Sequence, residues 1–138
     1  MRLREQRLWD SLRNNIRRDV KLERVENGLG AGMPDVLGIF ESMVFWIELK
    51  AIDAWPVRDS TPALGNEDGL NVDQRNWLLD WYNREGTAMV LIGVGRGKTR
   101  ELFLVPGEHA DEINYMTRSN LQSFRVTWAQ INTLLGVL

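Results

Sequence analysis

Cysteine is absent from this 138-residue sequence, and histidine occurs once. The first absence excludes thiol catalysis, disulfide scaffolding and cysteine-ligated zinc. The second excludes a histidine-rich metal site and the HExxH helix of zinc proteases. Proline is scarce, with four residues. No apolar run approaches the ~20 residues that a membrane-spanning helix needs. The opening MRLREQRLWDSLRNNIRR is charged throughout and lacks an apolar core, so a secretory role is not expected of it. With 43% hydrophobic and 26% charged residues, the composition is that of a folded globular chain. The expectation is one soluble, cytoplasmic domain over residues 1–138, long enough to bury a core. Its polar chemistry must rest on carboxylates, lysine, arginine, amides and hydroxyls.

An excess of either charge is also lacking, since the net charge is -2. That average hides an asymmetry. Residues 1–24 hold eight basic and four acidic side chains, and the remaining 114 residues hold nine and fifteen. Two readings fit the basic segment: contact with phosphates, or a solvated helix face whose arginines pair locally with acids.

Hydrophobic periodicity organises the chain. Leu8, Trp9, Leu12 and Ile16 recur at helical spacing and predict a helix from Leu3 to about Arg18. Val20–Glu26 reads as a strand, followed by a break at Gly28, Gly30 and Gly32. Asp35–Phe40 and Met43–Ala51 are apolar, β-branched and aromatic, and they predict a hairpin turning at Glu41-Ser42. Residues 52–70 form a long connection of the kind that is functional or mobile. Asn71 and Gln74 have capping-box spacing at the start of a helix with Trp77, Leu78, Trp81 and Tyr82 on one stripe. Ala88–Val94 reads as a strand buried on both faces and Arg100–Val105 as another strand. A weak helix is expected over Glu108–Met116. Thr127 and Gln130 open a last helix with Trp128, Ile131, Leu134 and Leu135 inward. The order αβββαββ plus C-terminal helices predicts an α/β fold, a mixed sheet flanked by helices.

The segment that carries chemistry is Gly32-Met33-Pro34-Asp35, then, after twelve intervening residues, Glu48-Leu49-Lys50. Side chains alternate across a sheet, so Phe45, Ile47, Leu49 and Ala51 share an apolar face. Val44, Trp46, Glu48 and Lys50 share the other. Antiparallel pairing of the hairpin then sets Asp35 opposite the region of Glu48, with Lys50 beside them. Two such carboxylates repel, and one takes up a proton unless a cation intervenes. Their hard oxygens, with a backbone carbonyl, suit Mg²⁺ or Mn²⁺. A neighbouring lysine can orient an attacking water or steady a phosphoryl oxygen. The alternatives are a turn role for Asp35 and an edge-strand ion pair for Glu48 and Lys50.

GMPDVLGIF…FWIELKA resembles the PD-(D/E)xK nuclease superfamily, the restriction-endonuclease-like fold. It is most similar to the VRR-type branch (virus-type replication-repair nucleases) and to Holliday junction resolvase-like phage nucleases, over roughly residues 1–105. The matching positions are Gly32, Pro34, Asp35, Glu48, Lys50 and Gln74. The resemblance implies a Mg²⁺-dependent (or Mn²⁺-dependent) nuclease acting on DNA, on branched DNA as a homodimer in the small stand-alone members. It implies metal ligation by Asp35, Glu48 and the Leu49 carbonyl, with Lys50 acting on the water and Gln74 positioning Lys50 or a phosphate. It also implies an N-terminal helix carboxylate, for which Glu5 fits and Asp10 and Glu26 are rivals. A non-catalytic DNA-binding or assembly module on the same fold is the alternative.

Arg2, Arg4, Arg7, Arg96 and Lys98 are the candidate DNA contacts. For Arg96, Lys98 and Arg100, a solvated hairpin tip is the equal reading. Trp55, in the long connection, reads either as a platform for a splayed base or as a loop anchor. The string Gly95-Arg96-Gly97-Lys98-Thr99 is not a P-loop, because it joins two strands and lacks the full spacing.

Overall fold

A computed structural model describes residues 3–25 and 30–137 of the chain. Helix α1 (Leu3–Asn15) is followed by strands β1 (Lys21–Arg24), β2 (Val36–Phe40) and β3 (Met43–Ile52). Then come helices α2 (Gly65–Asp68) and α3 (Val72–Asn83), and strands β4 (Thr87–Val94) and β5 (Glu101–Pro106). Helix α4 (Arg118–Leu121), strand β6 (Arg125–Val126) and helix α5 (Trp128–Val137) complete the described chain. The strands form one six-stranded sheet in the order β1-β2-β3-β4-β5-β6. Only β3 and β4 pair in parallel, because α3 carries the chain back between them; the other pairs are antiparallel. The mixed sheet with helices on its faces is the architecture expected from the sequence.

The alternation in β3 divides the apolar interior. Phe45, Ile47, Leu49 and Ala51 pack with Leu8, Trp9 and Leu12 of α1 and with Ile131 and Leu135 of α5. Trp46 and Ile52 face the other way, toward Leu78 of α3, Phe103 and Ile113. The hairpin turns at Glu41-Ser42 as predicted, with Glu41 at φ 55°, the left-handed conformation that a two-residue connection requires. The Asn71–Gln74 capping box forms, and so does the one at Thr127–Gln130.

Several expectations are corrected. Helix α1 stops at Asn15, three residues early, where the Asn15 amide bonds back to the Ser11 carbonyl and competes with the helix ladder. Residues 108–116 are not a helix but two separate 3₁₀ turns, Gly107–His109 and Ile113–Tyr115. Tyr82 and Leu134 lie exposed although they share stripes with core residues. The 52–70 connection is tied down at three places. Trp55 Nε1 donates to Glu101 Oε1 at 3.0 Å, the Ala63 amide donates to the Met116 carbonyl at 2.9 Å, and the buried Asn114 side chain bonds both backbone groups of Leu70 at 2.7 Å. The C-terminal segments therefore clamp this connection.

Candidate active site

Strand β2 begins at Val36, opposite Ile47, so the β2–β3 ladder ends just before Glu48. Beyond that point the β3 backbone needs other partners. Asp35 supplies one: its Oδ2 accepts from the Leu49 amide at 2.9 Å. The N–H and C=O of a strand residue project toward the same neighbour, so the Leu49 carbonyl lies on the edge that Asp35 borders. Arg24, at the end of β1, sits against the same residue, with Nη1 3.4 Å from the Asp35 carbonyl and 3.9 Å from Oδ1.

Glu48 and Lys50 belong to the face turned toward α3, and both are almost fully enclosed, at 2% and 8% exposure. Their meeting point is Gln74, in the first turn of α3. Gln74 Nε2 donates to Glu48 Oε2 at 3.0 Å, and Lys50 Nζ donates to Gln74 Oε1 at 3.1 Å. Lys50 Nζ is also 3.7 Å from Glu48 Oε2. The same Gln74 Oε1 accepts from the Asn71 amide, 3.0 Å away, as the capping box demands. One amide thus caps a helix and joins the two buried charges, so the capping and catalytic readings of Gln74 are compatible.

Gly32 fixes where α3 starts relative to Asp35. Its φ is +79°, and a Cβ there would stand 2.1 Å from the Asp73 carbonyl oxygen and 2.7 Å from the Gln74 nitrogen. Only glycine combines that conformation with that contact. The glycine before Pro34-Asp35 therefore seats the approach to Asp35 directly on the α3 N-terminus.

The electrostatics are unbalanced. Burial pushes the Glu48 carboxyl well above the usual range, Asp35 and Glu5 push it further, and Lys50 opposes them. Glu48 Oε1 is buried and has no hydrogen-bond partner. A buried carboxylate oxygen left without a donor is costly unless something cationic meets it. Asp35, Glu48 and the Leu49 carbonyl form a hard-oxygen set that suits Mg²⁺ or Mn²⁺ with water completing the shell. Among the described residues no group of three or more His, Cys, Asp or Glu side chains is gathered as a cage. The charge of Glu5 also acts on Glu48.

Arg2 and Glu26 lie outside the described residues. Arg4 Nη2 pairs with Asp68 at 3.2 Å, and Arg96 Nε pairs with Asp53 at 3.0 Å on the surface. Arg7 is half-buried, with Nη1 enclosed and unpartnered, while Lys98 is exposed in the turn Gly97–Thr99. Trp55 is an anchor, packed edge-on to Phe103 and covered by the Arg118 guanidinium 4.9 Å from its ring. Trp77 and Trp81, both half-buried, stack together against the buried Trp46. Asn114 and Arg24 were missed by sequence reasoning. Nothing local to Asn114 signals burial, but Arg24 closes a strand just before the glycine cluster and its position invited attention.

No family model matches the chain, and no curated protein does. Its fold is nevertheless shared. Hjc from Archaeoglobus fulgidus, a Holliday junction resolvase from an archaeal hyperthermophile, superposes with a TM-score of 0.60, covering 95% of this chain and 97% of its own at 18% sequence identity. This is the restriction-endonuclease-like α/β fold. In this chain the hairpin β2–β3 and the crossover α3 carry Asp35, Glu48–Lys50 and Gln74.

Proposed function

We propose that this chain is a metal-dependent nuclease of the PD-(D/E)xK type, akin to its VRR-type branch, hydrolysing DNA phosphodiester bonds and preferring branched DNA. The carrying observation is the buried Glu48 with an unpaired Oε1, beside Asp35 and joined through Gln74 to Lys50. In this reading Asp35, Glu48 and the Leu49 carbonyl hold Mg²⁺ or Mn²⁺. When bound, the ion polarises a phosphoryl oxygen and acidifies a water. The remaining work falls to the chain. Lys50 Nζ, fixed by Gln74, donates to the attacking water or to a non-bridging phosphoryl oxygen. Gln74 bonds both the Lys50 ammonium and the Glu48 side chain, which limits the reorganisation needed at the moment of attack. Arg24 holds Asp35 at the splayed end of β2. The likeness in fold to a Holliday junction resolvase favours branched DNA; a homodimer, which the sequence resemblance to the nuclease superfamily implies, would double a modest basic surface.

The test is cleavage of supercoiled plasmid and of a four-way junction with Mg²⁺ or EDTA, using wild type, Asp35→Ala, Glu48→Ala and Lys50→Ala. Metal-dependent cutting by wild type and none by the variants is the expected result. Equal cutting by the variants removes the site assignment. DNA bound but left uncut by wild type gives the non-catalytic binding module instead.

A further inference from the structure

Strand β1 closes one side of the sheet. Its inner edge pairs with β2, and no strand lies along its outer edge among the described residues. The Val25 amide donates to the Asp35 carbonyl at 2.8 Å, so the backbone groups of residue 25 point toward β2. That direction alternates along an antiparallel strand. The N–H and C=O of Lys21 and Glu23 therefore also point inward, and those of Leu22 and Arg24 point outward. An open edge of this kind is a template for another strand.

The side chains select the partner. Lys21 and Glu23 stand opposite Ile39 and Leu37, on the face that also carries Trp46 and Glu48. Lys21 Nζ lies 3.4 Å from Glu23 Oε1, and the two side chains are largely exposed, at 71% and 61%. Leu22 turns to the other face and packs with the α1 cluster. A lysine on an edge ordinarily turns incoming strands away. An antiparallel second copy of β1 is the exception. Outward-pointing residues must pair with outward-pointing residues, so the two-fold axis passes at a residue and not between two. Centred on Glu23, it opposes two carboxylates. Centred on Lys21 or Arg24, it opposes two cations. Centred on Leu22, it sets each Lys21 opposite the copy's Glu23 and lays the two leucines side by side. Leu22 offers both backbone groups outward, as the centre of a hydrogen-bonded pair requires. Opposite charges facing across strands stabilise a pair and like charges destabilise it. The Leu22 register alone satisfies backbone and charge together.

We infer that β1 is the seam of a homodimer, pairing with itself about Leu22 and joining two six-stranded sheets into one. The axis stands perpendicular to the sheet, so the Glu48 and Lys50 faces of both copies point the same way. Glu48 lies two strands in from β1. It is three residues along β3 from Phe45, which shares a row with Gly38 and Leu22. At ~4.8 Å per strand and ~3.3 Å per residue, the two Glu48 positions are roughly 30 Å apart. That is within one turn of duplex, about 34 Å. Two sites facing one way at this spacing can meet two strands of one branched DNA; this consequence rests on the nuclease reading, whereas the seam does not. A seam this short belongs to the small, weak class of interface, so monomer and dimer exchange in the micromolar range.

The test is sedimentation equilibrium of the full chain at micromolar concentration, in EDTA and without DNA. Wild type is expected to show a monomer–dimer equilibrium. Glu23→Lys and Lys21→Glu each oppose like charges twice across the axis, and each is expected to raise the dissociation constant about tenfold or more. Both side chains are exposed, so the fold tolerates the changes, and the double variant K21E/E23K restores association to the wild-type level. A nitroxide on Val44→Cys, a single thiol in a cysteine-free chain, reads the geometry. By the same spacings the two labelled positions lie about 25 Å apart, measured by electron double resonance. A wild type that stays monomeric overturns the seam. So does a dimer that the charge variants leave intact, or one whose labels report a distance far from that value. Neither measurement uses metal or DNA, so the two proposals fail separately. A dimer with this seam that leaves junction DNA uncut with Mg²⁺ removes the nuclease and keeps the seam. A monomer that cuts does the reverse.

Discussion

Glu48 and Glu101 are glutamates on the same sheet, each next to cations, yet their surroundings are opposite. Glu101 accepts from Trp55 Nε1 and from Arg125, and Arg118 Nη2 stands 3.9 Å away. Both of its oxygens are engaged, and its side chain keeps 19% exposure. Glu48 is more deeply buried, has one amide donor and an ammonium at 3.7 Å, and keeps one oxygen without a donor. A carboxylate that staples a fold is surrounded until satisfied. A carboxylate kept for a ligand is desolvated and left short of partners, a cost the rest of the fold must offset. Glu101 ties the 52–70 connection and the C-terminal segments to β5; in the proposed reading Glu48 is of the second kind, just past the end of the β2–β3 ladder.

The largest effect that would sharpen this contrast is on chemistry. Glu48→Ala and Asp35→Ala are expected to reduce junction and plasmid cleavage by ~10³-fold or more, and Lys50→Ala by ~10²–10³-fold. Glu101→Ala should leave the cleavage rate within about twofold per folded molecule while lowering unfolding free energy by about 2 kcal/mol in urea, through lost charged hydrogen bonds. Cleavage that falls with Glu101→Ala and survives Glu48→Ala would invert the comparison.

Stability should respond in opposite directions at the two glutamates. Glu48→Gln removes a buried acid whose carboxyl is raised by burial, Asp35 and Glu5. Without metal, the unfolded chain loses this proton at ordinary carboxyl pH while the native chain retains it, so wild-type stability falls as pH rises through the raised native value. Glu48→Gln should therefore melt a few degrees higher than wild type at neutral pH, the gain vanishing at low pH where both states are protonated. Differential scanning calorimetry across pH reads this directly.

Gln74 and Asn71 separate capping from chemistry. Asn71→Ala should cost roughly 0.5–2 kcal/mol of stability with cleavage retained, since it removes only the cap. Gln74→Ala should cost a similar amount and also lower cleavage about tenfold, since it releases Lys50 and Glu48. The smallest effect is expected at Arg96→Ala, within about 0.5 kcal/mol, because its pairing with Asp53 is solvent-exposed.

Much of the layout was legible because it is local. The parity of Met43–Ala51 separated Glu48 and Lys50 from the apolar face, the hairpin length brought Asp35 alongside, and the Asn71–Gln74 spacing marked the helix that meets them. What was not legible depends on contacts distant in sequence. Strand β6 has two residues and exists only through pairing with Leu102 and Phe103. The short helix α2 and the hold on residues 52–70 depend on Asn114 and Glu101, far along the chain. The seat of Arg100 beneath α1 depends on a missing side chain at Gly93, which in the run Ala88–Val94 reads as one more residue of a buried strand. Gly32 was visible as a break but not as a seat for α3.

Mn²⁺ uptake followed by the electron paramagnetic resonance signal of the free ion tests the central claim most directly, with wild type, Asp35→Asn, Glu48→Gln and Glu101→Gln measured side by side. Saturable uptake by wild type and Glu101→Gln, with loss in Asp35→Asn and Glu48→Gln, is the predicted result. Equal uptake by all four proteins, or none by wild type, would contradict it.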